Sequence, residues 1–118
     1  MRILGLTYVG SHTSNRHAMS QFVTDVLGLD PQAVEGSTAD FFALPDGASM
    51  AVADTDPGDV DERTVGFRVA DVVVAWEELK AAGIETDPEI NENSRYRYVH
   101  FRAPDGRLYE LVEDRDAS

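Results

Sequence analysis

The chain repeats one order of predicted elements twice within its 118 residues. Each half begins with a strand, continues with a helix that ends at Gly28 or Gly83, and closes with three strands. A Pro-Asp-Gly turn precedes the last strand of both halves, so that LPDGASMAV (44–52) aligns without a gap with APDGRLYEL (103–111). Because a unit this short cannot bury its own sheet, the two halves are expected to pack against each other in an α+β fold.

The predicted elements divide a single domain, residues 1–118, into two modules joined by an acidic segment. In the first module (1–54), apolar alternation and turn residues predict strands over 2–11, 32–36, 39–44 and 49–54 and a helix over 15–28. In the second module (63–118), they predict strands over 64–70, 84–89, 96–102 and 107–113 and a helix over 71–82. Residues 55–62, acidic and broken by Pro57 and Gly58, are predicted to be a solvated linker.

The composition narrows the range of partners. The chain has 22 acidic and 10 basic residues and a net charge of -12, so its surface is expected to repel both nucleic acids and anionic membranes. It has no cysteine, which excludes disulfides, thiolate metal sites and cysteine nucleophiles. No apolar stretch approaches the roughly 20 residues of a membrane span, and no signal-peptide pattern is seen, so a cytoplasmic location is expected.

Three segments carry a resemblance to a known family. FVTDVLGL (22–29), VGFRVADVVVAWEELKAAGIE (65–85) and FRAPDGRLYELVE (101–113) resemble the vicinal oxygen chelate superfamily, which includes glyoxalase I, bleomycin-resistance proteins and extradiol dioxygenases. The resemblance implies two tandem βαβββ modules whose sheet curls into a half-barrel, with helices on the convex side and a ligand on the concave side. It also implies a homodimer, in which modules of two chains often complete the cavity.

Strand alternation predicts which side chains face that cavity. Apolar residues such as Met50, Val52, Val99 and Leu111 are expected to face the helices, because alternate residues of a strand point to opposite faces. Tyr8 is placed inward by the family resemblance alone. The predicted ligand-binding residues are therefore Tyr8, Ala51, Thr64, Arg68, Tyr98, His100, Leu108 and Glu110.

The resemblance also implies four metal-ligand positions, one in the first and one in the last strand of each module. The family usually has histidine, glutamate or glutamine there, whereas this chain has Tyr8, Ala51, Thr64 and Glu110. Alanine has no donor atom, threonine is a poor ligand, and a neutral tyrosine seldom binds metals. A lone carboxylate holds a divalent ion only weakly, so the metal site is expected to be lost and no cofactor is predicted.

Glu110 and His100, both predicted to face the cavity, each have a functional and a structural interpretation. Glu110 is either a base with a raised pKa, or a group that accepts hydrogen bonds from Tyr8 or Thr64 or pairs with Arg68. His100 is either an acid–base group or a hydrogen-bonded part of the cavity wall.

Two histidines and the strand over 95–98 are the remaining features of interest. His12 and His17 are expected to be solvated near the first loop. The alternation of arginine and tyrosine over 95–98 indicates either a stacking wall for a planar ligand or an ordinary edge strand.

The sequence thus favours a metal-free protein that binds a small organic molecule in the concave cavity. Aromatic molecules are among the ligands considered. The alternative is a lyase, isomerase or dioxygenase of the same superfamily, with Glu110 as catalytic base or as a remaining metal ligand. A subunit or regulator without a ligand is a third hypothesis.

Overall fold

The computed structural model describes residues 1–115, in which two helices cover one face of a curled nine-stranded sheet. The α+β class predicted from the repeat and the half-barrel that the family resemblance implies are confirmed. Residues 116–118, which the predicted second module includes, lie outside the described residues. None of the helices in the described chain is long and apolar enough to cross a membrane.

The first module follows the predicted order of elements, and most of these elements are shorter than predicted. Its elements are β1 (Gly5–Thr13), α1 (Arg16–Asp25), β2 (Asp30–Gln32), β3 (Asp40–Ala43) and β4 (Ser49–Asp54). β1 continues two residues beyond the predicted end, because His12 and Thr13 still pair with β4. The predicted strand over 32–36 is wrong in position, since β2 ends at Gln32 and a loop follows.

The second module begins one residue earlier than predicted and contains one strand more. Its elements are β5 (Glu62–Arg68), α2 (Val72–Ala81), β6 (Glu85–Thr86), β7 (Asn91–Glu92), β8 (Tyr96–Arg102) and β9 (Leu108–Asp114). The predicted strand over 84–89 is mostly wrong, because the pairing with β8 ends after Asp87, whose backbone N–H donates to the His100 carbonyl oxygen, and a bend follows at Pro88 and Glu89. Only β6 remains of it, and β7 was not predicted.

The sheet joins the two modules at its centre through the antiparallel pair β1 and β5. On the outer side of this pair β1 runs parallel to β4, and β5 runs parallel to β9. The register places Ala51 beside Gly10 and Glu110 beside Gly66. Ala51 and Glu110 therefore occupy equivalent positions, as the gapless alignment of the two halves predicts.

The convex face of the sheet buries two apolar clusters, one under each helix. The cluster under α2 consists of Val69, Val72, Ala75, Leu79, Val99 and Leu111, and the cluster under α1 consists of Val23, Phe42 and Val52. Met50 packs against the second of these. The predicted strand faces are thus confirmed for β4, β8 and β9, and the alternate residues are left for the concave face.

The two helices begin and end differently. The Asp71 side chain caps α2 by accepting hydrogen bonds from two backbone N–H groups, as expected of an N-cap aspartate. Asn15 makes no such bond at the start of α1, and the neighbouring Ser14 is hydrogen-bonded to Asp61. The helix predicted to reach residue 28 ends at Asp25, and Gly28 turns the chain with a φ of 71°.

Candidate functional site

The concave face holds a cavity of about 360 Å³ that draws on both modules of one chain. The first module contributes Tyr8, Gly10, His12, Phe41, Ala51 and Ala53, and the second contributes Tyr96, Tyr98, His100, Glu110 and Val112. No arginine or lysine of residues 1–115 lines it. A larger groove, of about 580 Å³, lies open at the ends of β1, β5 and β9, but it does not include the buried carboxyl group of Glu110. The concave cavity is therefore the candidate site.

Five of the eight predicted ligand-binding residues line this cavity, namely Tyr8, Ala51, Tyr98, His100 and Glu110. The other three lie elsewhere. Thr64 is wholly buried beneath the wall beside Gly10, Arg68 forms an ion pair with Asp114, and Leu108 lines neighbouring grooves. The structure therefore does not bring Thr64, Arg68 and Leu108 into the wall.

The Tyr8 ring lies flat against the sheet, between two glycines. A Cβ atom at Gly66 would lie 2.5 Å from Tyr8 Cε1, and one at Gly10 would lie 2.9 Å from Tyr8 Cε2. Both distances are far shorter than a van der Waals contact. The two glycines, which are equivalent in the repeat, thus leave room for the ring that forms part of the cavity floor.

The tyrosines of β8 face the cavity from an internal strand. β8 is paired with β9 on one side and with β6 and β7 on the other, so the edge-strand interpretation is wrong. The Tyr98 ring meets the His100 ring edge-on, with centroids 5.6 Å apart, and burial together with the nearby Asp87 carboxylate raises the pKa of Tyr98. Tyr96 is buried, and its Oη lies 3.2 Å from Ser49 Oγ.

Glu110 is the one buried carboxyl group in the wall, and only 5% of the residue is exposed. Burial raises the pKa of Glu110 to about 8, because a charge is poorly solvated there. Its Oε2 lies 3.1 Å from His100 Nε2. The partners expected from the sequence are therefore wrong: Glu110 contacts His100, while Arg68 is paired with Asp114 and the Thr64 hydroxyl has no hydrogen-bond partner within the described chain.

The His100 ring is held from its other side by Asp87. His100 Nδ1 lies 2.7 Å from Asp87 Oδ2, and the His100 backbone N–H donates to the same oxygen over 2.9 Å. Asp87, His100 and Glu110 thus form a continuous chain of polar contacts that ends in the cavity.

His12 corrects one expectation from the sequence. It was expected to be solvated, yet it belongs to β1 and lines the cavity on the same face as Tyr8. Burial, followed by the nearby imidazole of His100, lowers the pKa of His12. The extended period-two alternation of β1 is the signal that would have placed it.

Two further residues were not predicted, Phe41 in the cavity wall and Asp87 behind His100. Phe41 stands in β3 opposite Ala51, and the gapless alignment of the two halves already pairs it with His100. Asp87 directly follows β6, and its contact with His100 depends on the long-range pairing of β6 with β8, which no sequence spacing gives.

The four metal-ligand positions of the resemblance do not form a donor set. Ala51 has no donor atom, the Thr64 hydroxyl is buried below the wall, and the Tyr8 ring lies against the two glycines. The remaining position, Glu110, is engaged with His100. Among the described residues no group of three or more histidine, aspartate and glutamate side chains is arranged to hold a metal ion, so these residues do not fit one.

Solved structures with a similar fold are numerous. A methylmalonyl-CoA epimerase from Mycobacterium tuberculosis is 20% identical with a TM-score of 0.75, over 94% of this chain and 88% of that one. A Streptomyces coelicolor methylmalonyl-CoA epimerase in complex with 2-nitronate-propionyl-CoA is 16% identical with a TM-score of 0.72, over 97% and 99%. A Mn(II)-bound glyoxalase from Novosphingobium aromaticivorans is 20% identical with a TM-score of 0.72, over 95% of this chain and 39% of that one.

At these identities the structural likeness establishes the fold alone. A comparison with curated proteins finds no match. The model of the Glyoxalase/Bleomycin resistance protein/Dioxygenase superfamily, however, matches residues 5–111, which is most of the chain. The chain therefore belongs to the Glyoxalase/Bleomycin resistance protein/Dioxygenase superfamily.

Proposed function

We propose that this protein binds a small, uncharged organic molecule with a planar apolar part in the concave cavity, without a metal ion. The observation that carries the proposal is the wall itself, in which four aromatic rings face a carboxyl group and no arginine or lysine is present. The rings belong to Tyr8, Phe41, Tyr96 and Tyr98. Pockets of this size and composition suit small, mostly apolar ligands that a few polar groups orient.

The charge of the cavity argues against anionic ligands. A coenzyme A ester, such as the one bound to the Streptomyces coelicolor epimerase, carries phosphates that proteins commonly hold with arginine or lysine. This wall has neither, and Asp56 adds a carboxylate at its edge. A chain with a net charge of -12 repels such ligands further.

Three naphthalene probes of matched shape test the proposal: naphthalenemethanol, naphthoate and naphthylmethylammonium. Isothermal titration is expected to show the alcohol binding at least about tenfold more tightly than the carboxylate, because no cation offsets the desolvation of an anion. Treatment with a chelator, or addition of Mn²⁺, Ni²⁺ or Zn²⁺, is expected to leave that affinity unchanged. Tighter binding of naphthoate, or binding that requires a metal ion, would refute the proposal.

A matched pair of variants locates the binding site. Tyr98→Ala removes a ring from the cavity wall, whereas Tyr109→Ala removes a ring that stacks on Phe67 and Phe101 on the opposite face of the sheet. Only the first is expected to weaken binding of the alcohol, by about tenfold. Equal losses in both variants would place the probe outside the cavity.

A second candidate function is acid–base catalysis by a lyase or isomerase. It is favoured by one observation, the contact of the buried Glu110 carboxyl group with His100. A carboxyl group whose pKa is near 8 can take a proton from an activated carbon and return it near neutral pH. The test is exchange of α-protons of uncharged ketones in D₂O, followed by NMR. Glu110→Gln is expected to abolish exchange and to keep binding.

The expected homodimer and cytoplasmic location stay predictions. Both modules of one chain contribute to the cavity wall. Analytical ultracentrifugation measures the oligomeric state directly.

A further inference from the structure

The Asp87 carboxyl group is held in place beside the His100 ring. Its Oδ2 accepts hydrogen bonds from the His100 backbone N–H over 2.9 Å and from Asn91 Nδ2 over 2.7 Å, and it lies 2.7 Å from His100 Nδ1. An oxygen that already accepts from two donors acts as an acceptor toward the ring as well. The carboxyl group is thereby fixed in position next to Nδ1.

These contacts determine where the protons of the ring lie. Because the Asp87 carboxylate can only accept, the hydrogen between it and His100 belongs to Nδ1. In a neutral ring Nε2 is then left as an acceptor, 3.1 Å from Glu110 Oε2. A protonated Glu110 carboxyl group can donate its hydrogen to an acceptor at this distance.

The three side chains also connect two cavities. Glu110 lines the concave cavity, Asp87 lines a second cavity of about 220 Å³, and His100 lines both. The other titratable or charged groups in the second cavity are His12, Asp56, Asp59, Glu62 and Arg102. Glu62 is paired with Arg102, which leaves Asp87 as the carboxylate in contact with the ring.

We propose that Asp87 is a positioning residue, which holds His100 as the Nδ1–H tautomer so that Nε2 faces Glu110 and exchanges a proton with it. The Glu110 O–H bond breaks as the Nε2–H bond forms, which gives a carboxylate and an imidazolium. The positive ring then lies against Asp87, and the reverse transfer restores both groups. This inference rests on the acid–base function proposed above, because the exchange is useful where Glu110 loses and regains a proton during a reaction.

A purely structural role for Asp87 predicts something different. If Asp87 only ties the bend after β6 to β8, its removal would loosen that bend without selecting a tautomer. The matched control is Asn91→Ala, which removes a hydrogen bond to the same Asp87 oxygen without touching the ring.

The experiment is long-range ¹H–¹⁵N NMR of histidine-labelled protein near pH 7, which distinguishes the two ring tautomers without a ligand. The wild type and Asn91→Ala are expected to show His100 as Nδ1–H. Asp87→Ala is expected to shift it to the commoner Nε2–H form, and Asp87→Asn, which keeps an acceptor oxygen, to retain Nδ1–H. An Nε2–H tautomer in the wild type, or an unchanged tautomer in a folded Asp87→Ala variant, would overturn the proposal.

A second readout separates this proposal from the acid–base function. If a ketone exchanges its α-proton, Asp87→Ala is expected to slow exchange at least about tenfold at unchanged probe affinity, with partial rescue in Asp87→Asn. If the wild type shows the Nδ1–H tautomer but exchanges no probe, the assignment of Asp87 stands and the acid–base function fails. A wild-type exchange rate in Asp87→Ala would refute the positioning role.

Discussion

The two modules place different side chains at equivalent positions of one cavity wall. In the first module Phe41 of β3 stands opposite Ala51 of β4, and in the second His100 of β8 stands opposite Glu110 of β9. The backbone register is the same in both, and the convex face of each sheet packs against its own helix. The repeat therefore preserves the buried apolar pattern, whereas the residues of the concave face differ between the two modules.

This divergence also accounts for the state of Glu110. Its equivalent in the first module is an alanine, and the first module contributes the Tyr8 and Phe41 rings to the wall. A carboxyl group facing such a surface gains no cationic partner from the first module, and burial alone raises its pKa. Burial in a wall without arginine or lysine among the described residues therefore favours the protonated form of Glu110.

Replacement of Glu110 by a neutral side chain is expected to change the free energy of unfolding more than any other substitution considered below. Its pKa of about 8, against an ordinary value of 4.5, means that the folded state keeps a proton that the unfolded chain loses. Stability should therefore fall by about 1.4 kcal/mol per pH unit as pH rises through that window and level off above it. Glu110→Gln stays neutral, so near pH 7 it is expected to be more stable than the wild type by about 3 kcal/mol.

Urea denaturation of both proteins near pH 5, pH 7 and pH 9 measures this difference. The gap between the two free energies of unfolding should widen with pH. A constant gap would mean that Glu110 titrates alike in the folded and unfolded states.

A second variant places metal-binding side chains in the cavity wall, at positions where the family usually has them. Tyr8→His and Ala51→Glu together would give, with Glu110, three metal-binding side chains in the cavity wall. Ni²⁺ or Zn²⁺ at about 100 times its Kd is expected to stabilise this variant by about 2.7 kcal/mol. The wild type and the single Tyr8→His variant should show no such shift in Tm, and a shift in the wild type would refute the loss of the site.

The equivalent glycines under the Tyr8 ring should differ in their tolerance of a methyl group. A Cβ atom at Gly66 meets both the Tyr8 ring and Val112 Cγ2, at 2.5 and 3.3 Å, whereas one at Gly10 meets the far edge of the ring at 2.9 Å. Gly66→Ala is therefore expected to cost about 2 kcal/mol, and Gly10→Ala about half of that. Thermal denaturation measures both, and adding Tyr8→Ala should remove most of the cost at Gly66. Equal costs would contradict this geometry.

The smallest effect distinguishes the two helix starts. Asp71→Ala removes two hydrogen bonds to the first turn of α2 and is expected to cost about 1 kcal/mol. Asn15→Ala removes no side-chain cap from α1 and should cost close to nothing. Comparable losses in urea denaturation would show that Asn15 caps its helix in solution.

The sequence predicted the convex side of the molecule better than the concave side. Apolar alternation and turn residues are local signals, so they placed residues such as Val52, Val99 and Leu111, and the equivalence of Ala51 with Glu110. The contact between Asp87 and His100 depends on the long-range pairing of β6 with β8, which no local signal encodes. Thr64 was misplaced for a different reason. Strand alternation predicts which face of the sheet a residue is on, but not how deeply its side chain is buried.

The most direct test is the titration of Glu110 itself, followed by carboxyl ¹³C NMR in glutamate-labelled protein and assigned with Glu110→Gln. Burial of Glu110 in the cavity wall predicts a midpoint of about 8, and a neutral Glu110 near pH 7. A midpoint in the ordinary range near 4.5 would mean that the carboxylate is well solvated or paired. It would then contradict both the uncharged cavity and the exchange of a proton with His100.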